Sequence, residues 1–203
     1  MIAIVDYGIG NIKSLWSLLE GEEVILTHAH EDILKADVLI LPGVGAFGYA
    51  MEALKERRLI STIKAFAKTG KPLIGICLGM QLFYEFSKEY GDHEGLGLLR
   101  GTVIELPDTL VKPHMGWNKL TCKDKPTCKD RLSSKGDYMY FVHSYYVKNP
   151  EENTVLATVN YGIEIPAIIK SNNIIGFQGH PEKSGPYGQN LFMKLIQTGE
   201  VKL

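Results

Sequence analysis

Residues 71–85 read KPLIGICLGMQLFYE, and this stretch decides the fold. Lys71-Pro72 punctuates the chain, and the short apolar run Leu73–Cys77 that follows reads as a buried strand. From Leu78 the segment LGMQLFYEF continues at once with helical periodicity. Gly75, Cys77 and Gly79 therefore form G-x-C-x-G where a strand runs directly into a helix, the pattern of a nucleophile elbow. The glycines permit a turn that Cβ atoms would block. The first amides of the helix are aimed at the sulfur, and the helix dipole favours thiolate over thiol. A small buried cysteine with packing glycines is the alternative that this motif alone leaves open.

Upstream, the same alternation recurs. IAIVD (2–6), EVILT (23–27) and DVLILP (37–42) are buried-strand runs. Between them Ile12, Leu15, Trp16, Leu18 and Leu19 fall on one helical face, which Gly21 ends. A further helical pattern in two pieces runs to Lys68. Strand and helix in alternation predict a mostly parallel sheet covered on both faces. Downstream, TVIEL, YMYFVHSYYV, TVLATV, PAIIK and NIIGFQ are strand-like and separated by polar turns, which predicts antiparallel additions before a last helix from about Gly188 to Gln197. Residues 121–137 are polar and charged, a surface loop by composition.

The chain has 203 residues, with 22 Lys+Arg against 23 Asp+Glu, so it lacks the basic excess of a dedicated nucleic-acid binder. Its length fits one domain with a core of its own. No apolar run approaches the roughly 18–20 residues that span a bilayer. The N-terminal MIAIVDYG shows no secretory pattern and the cysteine count is odd, so the expected setting is cytoplasmic, with Cys122 and Cys128 as reduced loop thiols. A zinc site would want two more ligands at recognisable spacing.

A cysteine nucleophile needs a base, and the base needs an orienting group. Of the six histidines, His28 and His30 sit among polar residues after a strand, and His93 lies in a Gly-rich turn. His180 differs. It follows an apolar strand, and His180-Pro181-Glu182 puts a carboxylate two residues on, past a proline that holds the backbone extended. One imidazole nitrogen can then face the thiol while the carboxylate holds the other. By itself, His-Pro-Glu is more often a loop with a chance ion pair. With an elbow cysteine in the same domain, the catalytic reading wins.

On these residues the sequence resembles the class I (triad) glutamine amidotransferases, and more narrowly the glutaminase subunits of imidazole glycerol phosphate synthases. The resemblance covers DYGIGN (6–11), LPGVGAFG (41–48), KPLIGICLGMQLFYE (71–85), PHMGWN (113–118), YFVHSYY (140–146) and HPEKSG (180–185). It implies a flavodoxin-like three-layer αβα sandwich, its central sheet mostly parallel, with antiparallel strands added in the C-terminal half of one domain spanning 1–203. It implies hydrolysis of glutamine to glutamate and ammonia without a cofactor, with Cys77 as nucleophile, His180 as base and Glu182 as its orienting group. Leu78 N–H and an amide of the Gly43-Val44-Gly45 loop would form the oxyanion hole, and that loop would reorient only when a partner binds. Gln81 and the backbone around His143-Ser144-Tyr145 would hold the substrate. The implied partner is a (βα)₈-barrel synthase that receives the ammonia, met by Asn11, Met115, Trp117, Asn118, Tyr140 and Lys183.

One position departs from the pattern. Relatives usually read Q-F-H-P-E, whereas Gly179 precedes His180 here, and the expected consequence is a looser backbone beside the base. That glycine leaves room for a second acceptor, a paralogue supplying ammonia for amidination of a surface sugar. A different class, an elbow-cysteine redox sensor or binding module, is disfavoured because a sensor needs neither HPE nor PHMGWN.

Overall fold

The structure is a computed structural model that describes residues 1–10, 12–123 and 137–199. The elements run in chain order as β1 (Ile2–Val5), α1 (Ile12–Leu18), β2 (Val24–Thr27), α2 (His30–Lys35), β3 (Val38–Leu41), α3 (Phe47–Glu56), α4 (Leu59–Ala67) and β4 (Leu73–Ile76). Then come α5 (Leu78–Gln81), β5 (Tyr84–Ser87), β6 (His93–Glu94), β7 (Leu99–Glu105), β8 (His114–Cys122), β9 (Tyr138–His143) and β10 (Tyr145–Lys148). The chain continues through β11 (Val155–Asn160), β12 (Glu164–Ser171), β13 (Ile174–Phe177) and α6 (Gly185–Thr198).

The main sheet has the order β2-β1-β3-β4-β13-β12-β11-β8-β9. Its first five strands are parallel, and the remaining pairings, from β13 outward, are antiparallel. β1, β3, β4 and β13 are buried on both faces, which is why they read as unbroken apolar runs, whereas β2 at the sheet edge is only partly covered. Alternate side chains separate two cores. Ile2, Ile4, Ile74 and Ile76 pack with Leu15 and Leu19 near α1 and with Leu191, Phe192 and Leu195 of α6. Ala3, Val5 and Leu73 face the other side, where they meet Ile33, Leu54, Ile63 and Phe66 of α2, α3 and α4. The expected three layers are thus present, with the antiparallel strands added in the second half.

Three local expectations are corrected. The helix after the elbow stops at Gln81, and residues 84–87 form strand β5. Leu78 through Tyr84 are all buried, which no single helical face can satisfy. Instead β5 joins a second sheet of order β10-β7-β5-β6, and the Phe83 carbonyl accepts the Leu98 and Leu99 amides. The run YMYFVHSYYV breaks at Ser144, with β9 in the main sheet and β10 in the small one. Cys122 closes β8 and is disulfide-bonded rather than a reduced loop thiol. Cys128 and most of the expected loop lie outside the described residues.

Among the described glycines, the one with least room for a side chain lies in the elbow. A Cβ on Gly79 would sit 1.8 Å from the Leu41 carbonyl oxygen, and one on Gly75 would sit 2.6 Å from the Met80 amide nitrogen. Backbone at both places has nowhere to move without pulling β3 from β4. Gly79→Ala is therefore expected to lower unfolding free energy by about 3 kcal/mol or more, read from urea denaturation against wild type. A loss under about 1 kcal/mol would mean that the elbow is not wedged as described.

Candidate active site

Cys77 sits at φ 53°, ψ −109°, a conformation that costs a non-glycine residue about 1–3 kcal/mol and persists only where its surroundings impose it. The imposition is visible. β4 is held between β3 and β13, and the Cys77 amide donates to the Phe177 carbonyl at 2.7 Å. Beyond the sulfur, the Met80 and Gln81 amides turn back to the Cys77 carbonyl at 3.1 and 3.2 Å. Strand and helix thus meet at one strained residue, as an elbow requires.

A cavity of about 330 Å³ opens over this residue. Its lining includes Cys77, Leu78, Val44, Gly45, Gln81, His143, Ser144 and Tyr145, so most of the expected nucleophile, oxyanion and substrate positions converge on one space. Gly43 does not line it. A Cβ there would come within 2.9 Å of the Gly79 and Leu78 atoms and the Tyr7 hydroxyl, so Gly43 seats the loop against the elbow. Tyr7 also donates its hydroxyl proton to the Pro42 carbonyl, fixing the start of the same loop. Gly45, at φ +104°, supplies the left-handed turn at its end.

His180 and Glu182 are both buried, and His180 Nδ1 lies 2.8 Å from Glu182 Oε1. Burial disfavours the imidazolium, yet Cys77 and Glu182 outweigh it and raise the pKa of His180 to about 9. Nε2 makes no hydrogen bond among the described residues, so it is the nitrogen left to serve the sulfur. The segment is tied to strand β9, where the His180 amide donates to the Tyr140 carbonyl at 2.8 Å and the Tyr140 amide donates to Ser184 Oγ at 2.9 Å. Here the expectation about Gly179 is corrected. A Cβ at that position would meet Met139 Sδ at 2.6 Å and the Tyr140 carbonyl at 2.9 Å. The missing side chain lets the segment close on β9, so the backbone beside His180 is anchored rather than loosened.

Gln81 is buried, not the exposed helix residue its context suggests, and its amide nitrogen bridges the Tyr145 carbonyl at 2.9 Å and Gln178 Oε1 at 3.0 Å. Gln178 in turn directs Nε2 at Cys77 Sγ across 3.8 Å. Met115 and Trp117 are exposed on β8 at 62% and 52%, with Tyr140 directly across from Trp117 on β9. Asn118 and Lys183 are partly buried, and none of these five lines the cavity. Asn11 lies outside the described residues.

Sequence reasoning missed Glu89, Tyr90 and Val142, which also line the cavity. Glu89 is buried, which raises its pKa, while the Phe47 amide donates to it at 2.7 Å and opposes that rise. It follows the unforeseen strand β5, so nothing in a helical reading would have aimed it inward. His114 was also passed over. Strand alternation was the available signal, since His114, Gly116 and Asn118 share one face of PHMGWN and Met115 and Trp117 the other.

The sequence pattern of class-I glutamine amidotransferases matches residues 3–197. The imidazole glycerol phosphate synthase subunit HisH of Oceanobacillus iheyensis is 51% identical over 197 residues, covering 96% of this chain and 97% of its own. The subunit of the same name from Lactiplantibacillus plantarum is 50% identical over 194 residues, covering 93% and 91%. A solved glutamine amidotransferase superposes with a TM-score of 0.75 over 98% of this chain and all of its own, at 18% identity, which speaks to the fold. The chain belongs to the class-I glutamine amidotransferase family and, within it, groups with the imidazole glycerol phosphate synthase subunits.

Proposed function

We propose that this chain is the glutaminase subunit of an imidazole glycerol phosphate synthase and that Cys77, His180 and Glu182 carry its chemistry. The observation that carries this reading is a strained cysteine lining a cavity, together with a buried His180–Glu182 pair 2.8 Å apart whose imidazole pKa that cysteine helps to raise. Cys77 Sγ attacks the side-chain carboxamide carbon of glutamine, forming the C–S bond while His180 Nε2 holds the thiol proton. Negative charge collects on the carboxamide oxygen, and the Leu78 amide with an amide of the Gly43–Gly45 loop receives it. The C–N bond then breaks, the proton passes from His180 to the departing nitrogen, and ammonia leaves. Water, deprotonated by the same imidazole, cleaves the thioester to glutamate. Glu182 keeps the ring oriented and stabilises its charged form.

Ammonia is small and neutral, so free release would waste it. The reading therefore includes a heterodimer with a (βα)₈-barrel synthase in the cytoplasm. Ammonia passes through the interface, and the synthase yields imidazole glycerol phosphate and AICAR in histidine biosynthesis. Exposed Met115 and Trp117, with Tyr140 and Lys183, form the proposed docking face, and aromatic residues of this kind are frequent binding hot spots. Asn118 is on the same strand with its side chain on the opposite face, and Asn11, outside the described residues, joins the proposed interface on the family resemblance alone. The 51% identity to a subunit of that name supports the histidine pathway over sugar amidination.

The test is glutamate release by the chain with the synthase subunit and its nucleotide ligand. Cys77→Ala should abolish release and resist a glutamine-mimicking alkylator while still binding the synthase. His180→Ala should lose about 10²–10⁴-fold and Glu182→Gln less. Turnover by Cys77→Ala within tenfold of wild type rules out the covalent assignment. The chain alone should be slower by orders of magnitude, since one missing oxyanion donor costs about 10²–10³-fold.

A pH experiment checks the pair independently of turnover. The pKa of His180 is raised from 6.5 to about 9, so its imidazolium adds stability that is fully present below pH 6.5 and is lost as pH rises through about 9. Urea unfolding of wild type should show that decline across this window. Glu182→Gln, lacking one of the two groups that raise the pKa, should show a smaller decline at lower pH. Identical profiles would show that the carboxylate does not hold the charged ring.

A further inference from the structure

Behind the cavity wall a chain of hydrogen bonds runs inward from strand β8. Asn118 Nδ2 lies 2.6 Å from His114 Nε2, His114 Nδ1 lies 3.0 Å from His143 Nε2, and His143 Nδ1 lies 2.9 Å from the Tyr145 carbonyl. Only one proton arrangement satisfies every contact. The Tyr145 oxygen can only accept, so His143 carries its proton on Nδ1 and leaves Nε2 bare. That lone pair requires a proton on His114 Nδ1, which leaves His114 Nε2 bare to accept from the Asn118 amide. Each ring is thereby held in the same Nδ1–H tautomer.

We propose that His114 and Asn118 are positioning residues for the glutamine cavity: through His143 they fix the Tyr145 carbonyl, and with it the Ser144–Tyr145 wall where the sheet breaks. The inference deepens the glutaminase reading and rests on it for the substrate. The same carbonyl accepts from Gln81, and Gln81 continues through Gln178 to Cys77, so displacing it disturbs one side of the cavity at several points. The rings are built to stay neutral. Burial pushes His114 down to about 4, and burial followed by the neighbouring His114 pushes His143 down to about 3. His114 is also stacked on Tyr161 at 4.0 Å and on Phe141 at 4.9 Å, so a packing role must be told apart from a proton-donor role.

Two substitutions separate those roles, assayed in the complex with the synthase subunit. His114→Phe keeps an aromatic ring but removes the donor to His143. His114→Asn loses the ring but can place an amide N–H where Nδ1 was. The expected result is that His114→Phe raises the glutamine KM about tenfold with kcat held within twofold, and that His114→Asn recovers most of the loss. Nitrogen-15 imidazole spectra of wild type should show both histidines as Nδ1–H tautomers, and in His114→Phe the bare His143 Nε2 resonance should move downfield as it loses its donor while Nδ1 stays protonated. Either ring as the Nε2–H tautomer in wild type overturns the proposal, and this holds even if both variants fail to fold. So does a harmless His114→Phe beside a damaging His114→Asn, or a fall in kcat with KM unchanged. Wild-type complex that releases no glutamate would instead remove the glutaminase reading and the substrate named here, while the tautomers still report on the relay itself.

Discussion

The Leu41 carbonyl oxygen occupies the space where Gly79 would carry a side chain, and the site is organised around that contact. β3 ends against the elbow at this point, so the loop from Pro42 to Gly45 is delivered over Cys77 rather than beside it. Tyr7, from the loop after β1, ties the Pro42 carbonyl, and Gly43 lies flat on the Gly79 amide. Three consecutive strands of the parallel sheet thereby meet within one turn of the sulfur. The open end of a doubly wound sheet is where such convergence is available, because strand ends there face a crevice between loops.

The second constraint comes from the other end of the chain. β13 pairs with β4 in parallel, so residues 178–180 emerge beside Cys77 by register alone, with Phe177 opposite Ile76. Gln178 and His180 then leave the strand end next to the sulfur, and the turn of Pro181–Lys183 brings Glu182 back onto the ring. Adjacent strands thus carry nucleophile and base, although about a hundred residues separate them in sequence.

The parallel half was legible because buried strands and one-faced helices have distinct periods, and the elbow and His-Pro-Glu were legible because their spacings are local. The losses have a common cause. Leu82, Phe83 and Tyr84 are apolar in succession, which fits a helix buried all round or a strand between two cores equally well, and only pairing with β7 decides. Glu89 and the inward placement of Gln81 follow from that unseen sheet. The break at Ser144 was hidden for a similar reason: both halves of YMYFVHSYYV are good strand, and which sheet each joins is a non-local choice. Gly179 looked like a defect beside the base because its neighbour Met139 is some forty residues away in sequence.

The way residues 180–184 lie along β9 has a bearing on solubility. β9 is the last strand of the main sheet, and its outer backbone would be a template for another chain's strand. The amide and carbonyl of Tyr140 are instead taken up by Ser184 and His180 of the same molecule. The stretch that presents the imidazole is therefore also a guard on the open edge. A lesion that frees it removes the base and uncovers a β-strand edge in one event, so damaged chains would be lost to aggregation as well as to inactivity.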